Sequence, residues 1–272
     1  MLASFKNILI PVDFTLNTEV AVTKTLELIN GEGATIHLLH VLGPAYPFAK
    51  EKLLLEEKKL IEWKETIKDY YPEVSVQLWS VKSFSVQKAI REKAQDISAD
   101  LIVIAQTSRH NWMPVLKTVL PMRLATSTRI AVLTVKPGAL HNRPKTIVVP
   151  ITDAMPEIKV RALESLCKNT RLNVHLVTFV DARNVLPEIS ASALLKVYQL
   201  LKARLHCPVE YAVMHGQNKA KALLQYAEKN NADILLVYPK KETQLGWWNH
   251  HIPDVLPPES KVQILAVQPA VN

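Results

Sequence analysis

Glycine is short in this chain, with six in 272 residues. Loops that wrap phosphate depend on glycine, because a missing Cβ lets backbone N–H groups close on the anion. Cysteine is scarcer still. Cys167 and Cys207 are far apart in the sequence and fit no Cys-x-x-Cys spacing. One falls in a predicted helix and the other at a strand start, so they read as buried, reduced thiols. No stretch approaches the ~20 apolar residues of a membrane span, and the N-terminus lacks the apolar run of a secretion signal. A soluble, cytoplasmic protein without a membrane partner is expected. Basic residues outnumber acidic ones by 33 to 25, giving a net charge of +8 and a pI near 9.3. The excess is spread over both halves without a long Lys/Arg run. It reads as a solvated basic surface, and no nucleic-acid partner is expected.

What the chain does have is apolar residues, 48% of the total, enough for a large core and two domains. The rest is organised around Lys6-Asn7-Ile8-Leu9-Ile10-Pro11-Val12-Asp13-Phe14. Unbroken apolar sequence of this kind reads as a strand buried on both faces, as in a parallel sheet. Thr15 and Asn17 offer N-caps for a helix Thr18–Ile29 with an apolar stripe at Val22, Leu26 and Ile29. In a parallel α/β sheet small ligands bind where strands end and helices begin. Asp13 therefore stands at the default ligand position, though it could equally cap the helix that follows.

Further along, Ala34–Leu42 reads as a second strand and about Ala49 to Tyr70 as a long charged helix with Leu53, Leu60, Trp63 and Ile67 on one face. Its Glu56-Glu57-Lys58-Lys59 run reads as solvated surface. Val74–Val81 alternates like a half-buried strand, Val86, Ile90 and Ile97 mark a third helix, and Leu101–Ala105 is another fully apolar strand. A Pro-interrupted helical segment and a strand Arg129–Val135 close the unit. Strands alternating with helices predict a doubly wound, largely parallel sheet with right-handed crossovers.

The pattern then restarts. Lys145–Ile151 matches Lys6–Val12, Leu172–Val180 matches Ala34–Leu42, Asn231–Val237 matches Ser98–Ile104 and Val262–Pro269 matches Ile130–Pro137, each roughly 135 residues on. Four strands repeated in order indicate an internal duplication. The expected organisation is a first domain 1–138, a short polar linker 139–144 and a second domain 145–272.

These phrases resemble a family. The opening Ile-Leu-Ile-Pro-Val-Asp, the strand ending His40-Val41, the Ala-Asp-Leu-Ile-Val-Ile at 99–104 and the closing Ala131-Val132-Leu133-Thr134-Val135 look like the universal stress protein family, over essentially the whole chain. The resemblance implies two tandem domains, each a five-stranded, Rossmann-like sheet of the adenine nucleotide alpha hydrolase-like type. It implies a pseudo-dimer in which the closing strands Ile130–Val135 and Val262–Val267 meet edge to edge, and it leaves further homodimerisation open. It also implies that a nucleotide-binding member would hold ATP where the first and fourth strands end, with phosphates on a G-x-x-G … G-S/T motif. Carried over, the candidate ligand residues are Asp13, Thr15, Val41, Thr107 and Thr118, in the first domain.

The sequence departs from that motif. Gln106-Thr107-Ser108-Arg109-His110 has no glycine, and Lys117-Thr118 keeps the hydroxyl alone. In the second half Tyr238-Pro239-Lys240-Lys241 replaces the first glycines, bulky Trp247-Trp248 follow Gly246, and Thr152 with Asp153 replaces the strand-end aspartate. No cofactor is therefore expected, ATP included. His250-His251 and His215 lack the partners of a metal set, and His37 and His40 face opposite sides of a strand. No catalytic site is expected, since no Ser-His-Asp order, paired carboxylates or Walker motif stands in a suitable setting. The leading expectation is a non-enzymatic stress-response protein that acts through protein contacts or protection. The alternatives are a small-ligand sensor using a divergent first-domain pocket and, third, a nucleotide-phosphate hydrolase, which the missing glycines disfavour.

Overall fold

The computed structural model describes residues 5–29, 33–43, 50–106, 119–151, 155, 157–169, 171–181, 191–216, 218–239, 242–245 and 251–268. Its first half runs β1 (Asn7–Val12), α1 (Leu16–Ile29), β2 (Thr35–Leu42), α2 (Lys50–Tyr70), β3 (Ser75–Lys82), α3 (Val86–Asp96), β4 (Leu101–Ala105), α4 (Pro121–Thr128) and β5 (Ala131–Val135). After a short 3-10 turn come β6 (Thr146–Pro150), α5 (Glu157–Asn169), β7 (Asn173–Asp181), α6 (Ala191–Arg204), β8 (Val209–Gly216), α7 (Lys219–Lys229), β9 (Ile234–Val237), α8 (Ile252–Val255) and β10 (Gln263–Ala266).

The strands form one ten-stranded sheet in the order β3-β2-β1-β4-β5-β10-β9-β6-β7-β8. Its pairs are parallel except at the centre, where β10 runs antiparallel to β5 with Ile264 opposite Thr134, Leu265 opposite Leu133 and Ala266 opposite Val132. The order is palindromic about this seam. Each outward sequence, 5-4-1-2-3 and 10-9-6-7-8, is that of a doubly wound α/β sheet.

The unbroken apolar runs are buried on both faces, as their sequence predicts. In β1 the alternation sends Ile8, Ile10 and Val12 into one core and Leu9 into the other. The first core takes α1 (Val20, Leu26), α2 (Leu60, Ile67), α5 (Val160, Leu163) and α6 (Val197, Leu201). The second takes α3 (Ala89, Ile90), α4 (Leu124, Ala125), α7 (Ala220, Leu223) and α8 (Ile252). Both cores cross the seam, so the two halves share their apolar interior.

The shortage of glycine is visible in the backbone. Phe14, Ser98, Arg129 and Asn231 adopt left-handed φ values of 58°, 50°, 60° and 50°, a region in which glycine is at home. Ser98 and Asn231 end α3 and α7 identically. Ala99 N–H donates to the Ala94 carbonyl, and Ala232 N–H to that of Ala227, the long back-bond of a helix terminated by one left-handed residue. The next aspartate then secures the neighbouring strand. The Asp100 carboxylate accepts the Lys6 and Asn7 N–H groups at 2.8 and 3.1 Å, and that of Asp233 accepts those of Lys145 and Thr146 at 2.8 and 3.0 Å.

Two sequence expectations need correction here. Helix α1 begins at Leu16 rather than Thr18, because Asp13 and Thr15 supply its N-terminal acceptors. The Glu56-Glu57-Lys58-Lys59 run is not wholly solvated: Glu57, Lys58 and Lys59 are exposed, but Glu56 turns inward and its carboxylate lies 3.6 Å from His40 Nε2.

Candidate functional site

At the C-terminal end of β1 the chain turns through the left-handed Phe14 into α1. Asp13 Oδ1 accepts the Thr15 N–H at 3.1 Å, the Thr15 hydroxyl at 2.6 Å and the Thr18 hydroxyl at 2.9 Å. Asp13 Oδ2 accepts the Asn17 side-chain amide at 3.4 Å, and the Asp13 N–H donates to Thr18 Oγ1 at 3.0 Å. The carboxylate is thus engaged by its own turn, where a negative charge also favours the start of a helix. Phe14 meets His40 edge-on at 4.7 Å between ring centroids and stacks on Trp63 of α2 at 6.0 Å.

Of the five candidate ligand residues, the structure brings Asp13 and Thr15 into direct contact. Val41 stands in β2, one register step beyond the His40 that pairs with Val12, and is buried in the second core. Thr107 and Thr118 lie outside the described residues, as do Thr152, Asp153, Gly246, Trp247, Trp248 and His250. Gln106 and Val119, which flank 107–118, are tied by a hydrogen bond from Gln106 Nε2 to the Val119 carbonyl at 2.9 Å.

His37 and His40 do face opposite ways. His37 Nδ1 accepts the Trp79 indole N–H at 3.1 Å, and burial, helped by the Lys93 charge, lowers its pKa from 6.5. Among the described residues no cluster of His, Cys, Asp or Glu is arranged to hold a metal ion.

The corresponding place in the second half holds a feature the sequence reading missed. Lys159 of α5 is 1% exposed, and its ammonium donates to both oxygens of Glu242 at 2.9 Å and to the carbonyl of Pro150, the last residue of β6, at 2.8 Å. Glu242 in turn accepts the Tyr238 N–H, just past β9, at 2.7 Å. The Tyr238 ring lies 4.3 Å from the ammonium. Burial drives the Lys159 pKa down and the Glu242 pKa up, while each charge opposes the other's shift. An internal ion pair therefore occupies the space where the C-terminal ends of β6 and β9 lie side by side. The signal was present. Lys159, Leu163 and Leu166 follow the i, i+4, i+7 spacing of the apolar stripe of α5, so the lysine faces inward.

A separate cleft of about 400 Å³ lies where α4 and the region before and within α8 face each other. Arg123, Thr126, Ser127, Gln244, His251 and Asp254 are among its walls. His251 Nδ1 is 2.7 Å from Thr243 Oγ1, and the His251 N–H donates to Asp254 at 3.0 Å. Chemically the cleft offers one guanidinium, one carboxylate, an imidazole and hydroxyls.

The strand order and the paired strand ends define a doubly wound, Rossmann-like α/β protein. Residues 4–136 match the model of the Universal stress protein family. No curated protein matches the chain. Among solved structures, a universal stress protein from Archaeoglobus fulgidus DSM 4304 superposes with a TM-score of 0.64 at 15% identity, covering 97% of this chain and 98% of that one. A functionally unknown protein from Pseudomonas aeruginosa PAO1 superposes with a TM-score of 0.57 at 16% identity, over 97% and 93%. The cytoplasmic domain of a prokaryotic cation chloride cotransporter gives 0.53 at 14%, over 97% and 96%. At such identities the likeness is one of fold. None of the described helices is long and apolar enough to cross a membrane.

Proposed function

We propose that the whole chain is a tandem universal stress protein whose two units form a covalent pseudo-dimer, and that it acts in stress response without binding ATP and without catalysis. One observation carries the reading: among the described residues at the two pairs of strand ends, the charged side chains Asp13, Lys159 and Glu242 are bonded to the chain itself. Asp13 is engaged by Thr15, Asn17 and Thr18, and Lys159 by Glu242. Opening either arrangement for a ligand forfeits those bonds, and separating the second leaves a buried charge unpaired. Protein contact or protective binding is then the mode of action.

A second reading, a small-ligand sensor, is favoured by the cleft between α4 and α8, whose volume suits a small molecule. Native mass spectrometry separates the two. The protein with and without millimolar ATP, compared with its denatured mass, is expected to show no added nucleotide. One nucleotide per chain, lost in Asp13→Ala, would overturn the non-binding reading. A co-purified mass that survives Asp13→Ala but disappears in Arg123→Ala would move the site to the cleft.

A further inference from the structure

The fold brings the two cysteines together across a long stretch of chain. Cys167 lies in the last turn of α5, and Cys207 lies between α6 and β8. Their sulfurs are 2.9 Å apart and hydrogen-bonded to each other. Both residues are free thiols, half-buried rather than sealed in the core, which corrects the expectation that they are buried. We propose that Cys167 and Cys207 form a dithiol site, which oxidants of the hydroperoxide or disulfide class convert into an intramolecular disulfide.

The geometry around the pair supports this. A disulfide bond is about 2.05 Å long, so the sulfurs, 2.9 Å apart, need to close by less than an ångström. The elements are already clamped next to the pair. Arg204, three residues before Cys207, donates from Nε to Glu164 at 2.7 Å and from both terminal nitrogens to Glu157 at 3.0 and 3.1 Å. Glu164 is one turn before Cys167 on the same helix. Two reactive groups held in this way react as if at very high local concentration.

The chemistry is that of ordinary thiol oxidation. Hydrogen bonding to Cys167 lowers the pKa of Cys207 from its usual value, whereas the same bond and burial raise that of Cys167. Cys207 therefore ionises first and is the nucleophile. With a hydroperoxide, its thiolate attacks one peroxide oxygen, breaks the O–O bond and becomes a sulfenic acid, releasing water or an alcohol. The Cys167 sulfur then attacks the Cys207 sulfur. The S–OH bond breaks, a second water leaves with the Cys167 proton, and the S–S bond forms. Two electrons pass from the sulfurs to the peroxide. With a disulfide oxidant the first step is instead thiolate exchange through a mixed disulfide, and two thiols are released in its place. The product ties the end of α5 to the start of β8 and encloses β7 and α6 in a loop of about 40 residues, which narrows the unfolded ensemble.

The experiment uses the full chain, reduced, freed of reductant and treated with hydrogen peroxide or oxidised glutathione. It is then denatured, alkylated with N-ethylmaleimide and weighed intact. The expected product carries no maleimide, weighs two hydrogens less than the reduced chain, remains a single chain on a non-reducing gel and returns to two maleimides after dithiothreitol. Its melting temperature should exceed that of the reduced form by roughly 5–10 °C. In Cys167→Ser, peroxide should leave a sulfenic acid on Cys207 that dimedone labels. Two maleimides after either oxidant, or a disulfide joining two chains, would overturn the proposal. The wild-type mass result stands whether or not the variant folds.

Discussion

Lys159 and Glu242 are the sharpest test of how this structure is held, because both side chains are nearly water-free, at 1% and 3% exposure. Removing one partner of such a pair leaves the other charge buried and uncompensated, which costs about 3–5 kcal/mol. The variants Lys159→Met and Glu242→Gln preserve length and shape, so packing loss is small. In the double variant the amide oxygen introduced by Glu242→Gln can still accept the Tyr238 N–H, and no charge remains. The double variant is therefore expected to lose less than the sum of the single losses by about 2 kcal/mol or more. Urea unfolding followed by circular dichroism at pH 7 supplies the three values. The single variants should also respond to pH with opposite signs. In Glu242→Gln the folded Lys159 pKa falls further below 10.5. Between the folded and unfolded pKa values the unfolded chain binds more protons, so stability rises from neutral pH towards about 10. In Lys159→Met the folded Glu242 pKa rises further above 4.5. The folded chain then binds more protons above the unfolded value, so stability falls as pH rises. Additive losses within about 0.5 kcal/mol, together with identical pH slopes, would refute the account of a buried, mutually dependent pair.

Two further outcomes follow from other sites. Asp13→Ala removes the acceptor of the Thr15 N–H and of two hydroxyls at the start of α1; a loss of about 1–2 kcal/mol is expected from urea unfolding, and a loss below a few tenths would mean that the aspartate is not capping. His37 accepts the Trp79 indole proton and is therefore neutral when folded, with its pKa below 6.5. Because the unfolded chain binds the proton first, stability should decline as pH falls below 6.5 and through the folded pKa; an NMR titration placing the His37 midpoint at or above 6.5 would contradict this.

The legible part of the molecule is the part that local pattern determines. Ile8–Val12, Leu101–Ala105 and Ile234–Val237 are apolar without interruption, a pattern that fits a strand covered on both faces and little else. Their order with the intervening helices was enough to read the fold class. Residues whose role depends on what arrives from elsewhere in the chain were harder. Glu56 looks like its charged neighbours until β2 brings His40 beside it. Cys167 and Cys207 share no spacing, and only the packing of α5 against the approach to β8 makes them neighbours. Lys159 lies between these cases. Its place on an apolar stripe could be read, but its partner Glu242 stands 83 residues away in the segment after β9, and no spacing links the two. The same shortage of glycine explains why the strand-end sites are hard to read as ligand sites. A chain that puts Phe14 in a left-handed turn, and Lys159 and Glu242 at the second pair of strand ends, has given positions that could receive a ligand to its own side chains.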